Sequence, residues 1–292
     1  MPEPTVVTSQ VLREWALPRP GSDKEGRGVV LVVGGSRSTP GAVILSGESA
    51  LRVGSGKLQV ATAAGVASQV SVALPEALVR GLAETDAGDL ATEAGTGVVE
   101  MAGDTTTVLL GPGLLDPGKA SDLLARIVPE LTGPVVIDAL GSAFVTDHPD
   151  GLHHLEGHCV LTLNVTELAR TLGTETEQVE SDQPGAATEL ARRTGSVVLC
   201  GGTTKVVATP VRDAFLVHEG GPGLGVSGSG DVQAGLVAGL LARGAAPDQA
   251  AVWGAYLHGR AGDRLAGRIG AVGFLARELP LVVPGLLTEL GQ

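Results

Sequence analysis

From residue 28 onward, short runs of β-branched and aliphatic residues alternate with longer segments that have helical periodicity. Strands are predicted at Val29–Val33, Leu58–Thr62, Thr106–Leu110, Pro134–Asp138, Cys159–Thr162 and Val197–Cys200. Helices are predicted at Pro40–Val53, Lys119–Leu131, Thr166–Leu172, Gly185–Thr194, Asp231–Arg243, Asp248–Leu265 and the Leu275–Leu290 region. Strands that are apolar throughout and separated by helices indicate βαβ units, because a parallel sheet is buried on both faces.

This alternation predicts an α/β fold with a mostly parallel central sheet covered by helices on both faces. Two further runs, Lys205–Thr209 and Ala214–Val217, predict an antiparallel hairpin at one edge of the sheet. No linker or repeat interrupts the pattern, which favours a single domain over residues 28–292. Residues 1–27 are rich in proline and polar residues and are predicted to form an N-terminal arm or a surface helix. Ligands of such sheets bind beyond the carboxyl ends of the strands, so the loops there are the candidate sites.

Composition and charge exclude several classes of protein. The chain has 32 acidic and 20 basic residues, a formal net charge of −12, and 2% aromatic residues. A nucleic-acid-binding protein uses a basic surface and aromatic stacking platforms, so no nucleic-acid partner is expected. No apolar run approaches the ~20 residues that cross a bilayer, and two cysteines cannot form a disulfide framework. The first residues lack the pattern of a signal peptide, so we expect a cytoplasmic protein without a membrane partner.

The strongest local signal is the segment Gly225–Asp231, with the sequence GVSGSGD, which runs into an apolar helix. Glycines allow successive backbone N–H groups to point into one concavity, and a helix N-terminus adds a partial positive charge. Together they would form an anion hole for a phosphoryl group in transfer, with Asp231 accepting a proton from a substrate hydroxyl. The alternative is that Asp231 only caps the helix.

Four other loops follow predicted strands and are secondary candidates. They are the segments Val33–Ala42, Leu110–Gly113, Asp138–Ala139 and Leu161–Glu167. Each has an alternative interpretation as ordinary turn or cap chemistry. In the last segment Asn164 and Glu167 have the spacing of a capping box.

Several other motifs do not support a site. The segment Gly113–Ala120 resembles a P-loop, but Ala120 cannot hold Mg²⁺ as the required Ser or Thr does. His154 and His158 flank a glutamate that is misplaced for a zinc motif. His258 lies within an apolar helix and is more typical of a core histidine than of a catalytic one. Cys200 has no cationic neighbour in the sequence that would favour a reactive thiolate.

Taken together, these segments resemble the ADP/ATP-dependent NAD(P)H-hydrate dehydratases of the ribokinase-like superfamily. The resemblance runs in order from about Gly28 to Leu287. The segments that carry it are VVGGSRSTPGAVILSGESALRVGSGKLQVAT, ALPEALV, LLGPGL, VVIDAL, LTLNVTELARTLG, GSGDVQAGLVAGLLARG and YLHGRAGD. The first of these and GSGD are the most specific, although GSGD alone indicates only a ribokinase-like protein.

The resemblance implies a repair enzyme that dehydrates hydrated NADH or NADPH, with ADP or ATP as co-substrate and Mg²⁺ on the phosphates. The ring hydroxyl is expected to be phosphorylated and the phosphate then lost.

The resemblance also implies a role for individual residues. Asp231 would be the catalytic base, and the N–H groups of Gly228, Ser229 and Gly230 would form the anion hole. Ala42, Gly113, Asn164 and Asp231 would contact the hydrated dinucleotide. Cys200, Gly201, Gly202, Thr203, Thr204 and Gly230 would bind the adenine nucleotide. No residue is assigned as a protein ligand of a metal. A homo-oligomer and a functional link to an NAD(P)HX epimerase are also implied.

The chain departs from the family pattern in three places. Cys200 stands where the family usually has a lysine, and the next lysine is Lys205. Leu163 replaces a proline, and the usual Ala-Ser-Asp-Leu near the last helix reads Leu-Ala-Arg-Glu over 275–278. Two alternative functions stay open. The GSGD segment would fit a kinase for a small vitamin-precursor alcohol equally well, and the departures at Cys200 and Leu163 suggest a non-catalytic nucleotide-binding homologue.

Overall fold

The computed structural model describes residues 4–202, 204–212 and 214–292. Its strands are β1 Thr5–Val6, β2 Val29–Val33, β3 Lys57–Ala63, β4 Ala77–Leu82, β5 Thr107–Leu110, β6 Val135–Asp138, β7 Cys159–Leu163, β8 Val197–Cys200, β9 Lys205–Ala208 and β10 Phe215–Val217. Its α-helices are α1 Ser9–Glu14, α2 Gly41–Arg52, α3 Ala67–Ala73, α4 Ala94–Ala102, α5 Pro117–Ile127, α6 Ser142–Asp147, α7 Val165–Leu172, α8 Thr176–Ser181, α9 Gln183–Thr194, α10 Ser229–Ala242, α11 Pro247–Arg268 and α12 Leu279–Glu289.

The strands form one ten-stranded sheet in the order β1-β10-β9-β8-β7-β6-β5-β2-β3-β4. Neighbouring strands are parallel except where β9 pairs antiparallel with β8 and with β10. The predicted mostly parallel sheet and its antiparallel hairpin are therefore confirmed. β1 adds a further parallel strand outside β10, through the pairs Thr5 with Phe215 and Val6 with Leu216.

Two apolar cores lie on opposite faces of the sheet, because successive side chains of a strand point to opposite sides. In β2, Val30 and Val32 belong to the core under α2, α10, α11 and α12, whereas Leu31 and Val33 belong to the core under α4, α5, α6, α7 and α9. Both faces of the strand are thus buried. This explains why the sequence of β2 is apolar throughout rather than alternating.

Helix α10 is positioned by close packing against α2. A Cβ on Gly235 would clash with the carbonyl oxygen of Ser46, and one on Gly239 would lie 2.6 Å from the carbonyl oxygen of Ala50. These glycines let the two helix backbones approach, and α10 is buried along almost its whole length. The packing holds the N-terminus of α10 at the carboxyl edge of the sheet, where the strands β5 to β8 end.

The start of the chain packs onto the sheet. Leu12 of α1 is fully buried, and the ring of Trp15 stacks on that of Phe215 with centroids 5.6 Å apart. The carbonyl oxygen of Trp15 accepts hydrogen bonds from Trp253 Nε1 at 3.0 Å and Gln249 Nε2 at 3.1 Å. Residues 5–15 of the predicted N-terminal arm thus contain a strand and a surface helix that contact α11 and β10.

Some element boundaries differ from the sequence prediction. Helix α5 ends at Ile127 rather than Leu131, because Pro129 cannot continue the helix and residues 128–130 form a 3₁₀ turn instead. Within the residues described, no helix is both long and apolar enough to cross a lipid bilayer.

Candidate active site

A cleft of about 1010 Å³ opens at the carboxyl edge of the sheet, beside the first turn of α10. Its floor is the region where β6 and β7 end, and one wall is the segment that precedes α10. The residues that line it are Asp138, Ala139, residues 162–167, Gly201, Gly202, Lys205, Gly220–Pro222, Leu224–Val226, Ser229–Asp231, Gln233 and His258. Three of the predicted loops therefore meet at one cavity, as expected for the carboxyl edge of a parallel sheet.

The turn before α10 leaves backbone donors free. Gly228 has φ 89°, a conformation that favours glycine, and a Cβ there would clash with Leu45. The amide of Ser229 donates to the carbonyl oxygen of Val226 at 3.1 Å. The amides of Gly230 and Asp231 have no acceptor among the described residues, and the space beside the Cα of Gly230 is open. Of the three amides predicted to form the anion hole, that of Ser229 is therefore already paired. Those of Gly228 and Gly230, and in addition that of Asp231, have no acceptor among the described residues and are available to an anion.

The carboxyl group of Asp231 lies in this cleft, on the first turn of α10. Burial, and secondly the negative charge of Glu167, raises the pKa of Asp231 to about 6. A carboxylate with this pKa is ionised near neutral pH yet more basic than an exposed aspartate. That combination suits a general base for a hydroxyl proton.

A second buried carboxyl group, that of Asp138, lies at the end of β6. Thr162 Oγ1 donates a hydrogen bond to Asp138 Oδ1 over 2.7 Å. Burial, and secondly the charge of Asp231, holds the pKa of Asp138 well above its usual range. The next residue, Ala139, has φ 49°, a left-handed conformation that costs a non-glycine residue about 1 kcal/mol and that recurs at functional sites. The cleft thus pairs an ionisable base with a carboxyl group that favours its neutral form.

Asn164 and Glu167 form the capping box that the sequence indicates. The side chain of Asn164 accepts from the amide of Glu167 at 2.8 Å, and the amide of Asn164 donates to Glu167 Oε2 at 2.9 Å. Both residues also line the cleft. The capping role and a place in the cleft therefore coexist, and burial raises the pKa of Glu167.

The other two residues predicted to contact the substrate, Ala42 and Gly113, lie together but are not part of the cleft lining. A Cβ on Gly113 would lie 2.6 Å from the carbonyl oxygen of Thr39 and 2.9 Å from the Cβ of Ala42. Thr39 Oγ1 donates to the carbonyl oxygen of Gly113 at 2.7 Å. Leu45, one turn along α2 from Ala42, contacts Gly228, so this small-residue surface adjoins the turn before α10.

The segment predicted to bind nucleotide divides into buried and open parts. Cys200 is fully buried, and burial raises the pKa of its thiol to about 11, so a reactive thiolate is not expected. Gly201 and Gly202 line the cleft. Thr204 Oγ1 lies 3.2 Å from His218 Nδ1. Thr203 lies outside the described residues.

Lys205 and His258 also line the cleft, although neither was assigned to the site from the sequence. Lys205 is buried, and its Nζ donates to the carbonyl oxygen of Glu219 at 2.8 Å. Burial lowers the pKa of Lys205 to about 8. His258 Nε2 lies 2.8 Å from Ser229 Oγ, and burial followed by the charge of Lys205 lowers the pKa of His258 to about 3. His258 is therefore neutral, and its Nδ1 has no partner among the described residues.

The motifs that the sequence does not support as functional sites have structural roles. The amide of Lys119 donates to Asp116 Oδ1 at 2.8 Å, which is a helix N-cap rather than a phosphate cradle. His154 Nε2 and His158 Nδ1 contact the carbonyl oxygens of Val128 and Leu155. Among the residues that the structure describes, no group of three or more His, Cys, Asp or Glu side chains is arranged to hold a metal ion.

Comparison with known proteins agrees with this geometry. The sequence profile of the NAD(P)H-hydrate dehydratase family matches residues 30–284. The chain is 43% identical to ADP-dependent (S)-NAD(P)H-hydrate dehydratase of Xanthomonas campestris pv. campestris, an alignment that covers 99% of this chain and 98% of that protein. It is 34% identical to the bifunctional NAD(P)H-hydrate repair enzyme Nnr of Moorella thermoacetica over 91% of this chain and 50% of that protein, so it spans about half the length of the bifunctional relative.

Two solved structures show the same fold. A ribokinase-like superfamily protein of Enterococcus faecalis superposes with TM-score 0.83 at 24% identity, covering 98% of this chain and 96% of that chain. The ADP/ATP-dependent NAD(P)H-hydrate dehydratase of Bacillus subtilis, co-crystallised with ATP and Mg²⁺, superposes with TM-score 0.79 at 24% identity, covering 98% of both chains. The fold, the cleft beside α10 and the sequence profile lead to one conclusion: this chain belongs to the NAD(P)H-hydrate dehydratases, a family of lyases with the ribokinase-like fold.

Proposed function

We propose that this chain restores hydrated NADH or NADPH to the normal cofactor in a reaction that consumes ADP or ATP. The observation that carries the proposal is the position of Asp231, which lines the cleft on the same helix turn as the unpaired amides of Gly230 and Asp231. A base and an anion-binding turn on one helix end are what a hydroxyl-to-phosphate transfer requires. The 43% identical relative named as an ADP-dependent dehydratase supports the same reaction.

In the first step, Asp231 accepts the proton of the ring hydroxyl while that oxygen forms a bond to the terminal phosphorus of the nucleotide. The bond from phosphorus to its bridging oxygen breaks, and ADP yields AMP or ATP yields ADP. The free amides at the start of α10 stabilise the negative charge on the transferring group, because they are fixed before the reaction begins. In the second step phosphate leaves the ring with the C–O electron pair, and loss of a proton from the adjacent ring carbon restores the double bond.

The carboxyl group of Asp138 would assist this reaction in its neutral form. Its carboxyl group lies close enough to Asp231 for their charges to interact, and Thr162 holds it in place. A second negative charge would repel the phosphates of the nucleotide. A carboxyl group that retains its proton avoids this repulsion and can donate a hydrogen bond to a phosphate oxygen.

Mg²⁺ would be held mainly by the phosphates of the nucleotide. Mg²⁺ commonly keeps several waters and takes one or two carboxylates together with substrate phosphates. The described residues offer no larger protein cage, but Glu167 also lines the cleft. The donor set therefore fits a phosphate-bound ion with Glu167 as a carboxylate partner. When bound, the ion would neutralise phosphate charge.

The remaining residue assignments belong to the same proposal. Gly201 and Gly202 would contact the nucleotide through the backbone, and Cys200 would support them from the core. Asn164 would contact the hydrated dinucleotide at the cleft. Ala42 and Gly113 would contact it on the small-residue surface beside the turn. A homo-oligomeric assembly, a functional link to an NAD(P)HX epimerase and a cytoplasmic location stay predictions from the sequence.

The proposal is tested by incubating the purified protein with hydrated NADH, ADP and Mg²⁺. We expect recovery of the absorbance of the reduced nicotinamide ring together with release of one phosphate for each ring restored. Omission of the nucleotide is the control and should abolish the recovery. A stable phosphorylated product without recovery would indicate a kinase, and nucleotide binding without turnover would indicate a non-catalytic homologue. Either result would overturn the proposal.

A further inference from the structure

The peptide group between Glu219 and Gly220 is held from both sides by charged side chains. Lys205 Nζ donates to its carbonyl oxygen at 2.8 Å, and its N–H donates to Asp263 Oδ1 at 3.2 Å. Lys205 comes from β9 and Asp263 from α11, so the two charged groups belong to different elements. A hydrogen bond that involves a charged group is stronger than a neutral one. This peptide is therefore a fixed point in a chain segment that otherwise has little regular structure.

Helix α11 approaches the same segment closely at two of its glycines. A Cβ on Gly259 would clash with the carbonyl oxygen of Glu219, and a Cβ on Gly262 would lie 2.8 Å from Leu224 Cδ2. Gly220 itself has φ 104°, and a Cβ there would clash with Leu224. The sequence YLHGRAGD thus places two glycines and Asp263 on one face of α11, against residues 219–224.

The segment that is held in this way forms a wall of the proposed active site. Gly220, Gly221, Pro222 and residues 224–226 line the cleft. The segment then leads directly into Gly228 and the first turn of α10, where the free amides and Asp231 are found. A shift of the peptide at 219–220 would therefore change the shape of the cleft that Gly201 and Gly202 also line.

We infer that Lys205 and Asp263 are positioning residues that fix residues 219–228 as the nucleotide-facing wall of the cleft and so set the affinity for ADP or ATP. The inference rests on the proposed function, because it takes the nucleotide to occupy this cleft. It also gives a role to the YLHGRAGD segment, whose two glycines and acid contact residues 219–224. Neither Lys205 nor Asp263 is assigned a bond to substrate in this scheme. Both act through the backbone at 219–220.

The test compares Asp263→Ala, Asp263→Asn, Lys205→Met and the Lys205/Asp263 double variant. Hydrogen exchange of residues 219–228 is measured in the protein without ligand, and KM is measured separately for ADP and for hydrated NADH. The control is Arg264→Ala, one residue along α11, whose side chain pairs with Glu289 instead. Asparagine at 263 retains an oxygen that can accept from the Gly220 amide, so it is the conservative variant.

We expect Asp263→Ala and Lys205→Met each to accelerate exchange within 219–228 and to raise KM for ADP about tenfold or more, with KM for hydrated NADH changed by less than about twofold. In Asp263→Asn, exchange within 219–228 and KM for ADP should stay close to those of the unaltered protein. KM for ADP should be higher in the double variant than in either single variant. The increase should be well below the product of the two single increases, because both bonds hold one peptide. The control should match the unaltered protein.

Two results would overturn the inference. One is unchanged exchange in 219–228 and an unchanged KM for ADP in Asp263→Ala. The other is a parallel rise in both KM values with faster exchange throughout the chain, which would mean general destabilisation. The exchange measurement needs no turnover. If the unaltered protein is inactive while exchange still rises only in 219–228, the proposed reaction fails separately, and calorimetric titration with ADP then replaces KM as the decisive comparison.

Discussion

Ser229 Oγ and His258 Nε2 lie 2.8 Å apart and join the first turn of α10 to the middle of α11. The imidazole is buried and close to the positive charge of Lys205, and both effects favour its neutral form. A neutral ring can accept the hydroxyl proton of Ser229 through Nε2, which leaves the other nitrogen protonated. The bond ties the turn that contains the free amides to the helix that also holds residues 219–224. The site is thus supported from its buried side by a histidine that burial keeps neutral.

This relationship predicts a pH-dependent contribution of His258 to stability. Folding lowers the pKa of His258 from about 6.5 to about 3, so the unfolded chain binds the extra proton below pH 6.5. The contribution is therefore complete above pH 6.5 and declines as the pH falls toward 3. We expect His258→Ala to reduce the free energy of unfolding by about 2–4 kcal/mol at pH 7, and by about 2 kcal/mol less at pH 5. Urea denaturation at both pH values measures this, with exposed His148→Ala as the control. An equal loss at both pH values would contradict it.

Glu167 should control the acid limb of the pH–rate profile. Its charge is one of the two causes that raise the pKa of Asp231 to about 6, and Asp231 must be ionised to act as a base. Activity should therefore fall as the pH drops below about 6. In Glu167→Gln the limb should move to lower pH, because the charge is removed while the side-chain oxygen can still accept from the amide of Asn164. The measurement is kcat/KM against pH. Glu177→Gln on α8 is the control, and a limb that stays in place in Glu167→Gln would refute the coupling.

The buried carboxylate of Asp231 should lower the free energy of unfolding, because the burial that makes it more basic also disfavours its charged form. Burial raises the pKa of Asp231 from 3.8 to about 6, so the folded protein holds a proton that the unfolded chain releases between these pH values. Stability attributable to this group thus declines as the pH rises from about 4 to about 6 and stays reduced above that. We expect Asp231→Asn to raise the free energy of unfolding at pH 7 by at most about 3 kcal/mol. Thermal unfolding at pH 7 tests this against exposed Asp122→Asn. A melting temperature lower in Asp231→Asn than in the unaltered protein would contradict the expected cost of burying the charged carboxyl group.

Gly113 and Gly173 provide a matched pair for testing the proposed substrate surface. Their φ angles are 71° and 72°, so alanine suffers similar backbone strain at either position. A Cβ on Gly113 would press on Thr39 and Ala42, whereas a Cβ on Gly173 would meet open space. Gly113→Ala should raise KM for hydrated NADH about tenfold or more, and Gly173→Ala should cost only about 1 kcal/mol of stability without changing KM. Equal KM values in the two variants would remove Gly113 from the substrate surface.

The central strands and the turn before α10 could be predicted from the sequence because their physical requirements are local. β2 is apolar throughout because both of its faces are buried, and the sequence alone indicates its correct limits, Val29–Val33. The GSGD turn is visible for a similar reason, since glycine and a helix start occur together. Elements with weaker patterns were missed. β1 has only two residues, and β4 is an edge strand that contains Arg80 and Gly81.

The supporting contacts of the site could not be predicted because they join segments that are distant in sequence. The sequence indicates Lys205 only as the next lysine after the altered Cys200 position. Its bond to the Glu219 carbonyl oxygen depends on the pairing of β9 with β10. The sequence predicts a core histidine at position 258, and its burial is confirmed. Its bond to Ser229 requires α11 to pack beside α10, and its Nδ1 has no partner among the described residues. Such contacts follow from tertiary packing rather than from any local pattern.

The most direct measurement compares the unaltered protein with Asp231→Asn in the presence of hydrated NADH, ADP and Mg²⁺, following recovery of the absorbance of the reduced ring. Calorimetric titration with ADP runs in parallel, to show that the variant still binds nucleotide. We expect the rate of recovery to fall by at least about 100-fold, since the base that removes the hydroxyl proton is lost, with ADP affinity changed by less than about threefold. Recovery at the rate of the unaltered protein in Asp231→Asn would contradict the assignment of Asp231 as the base.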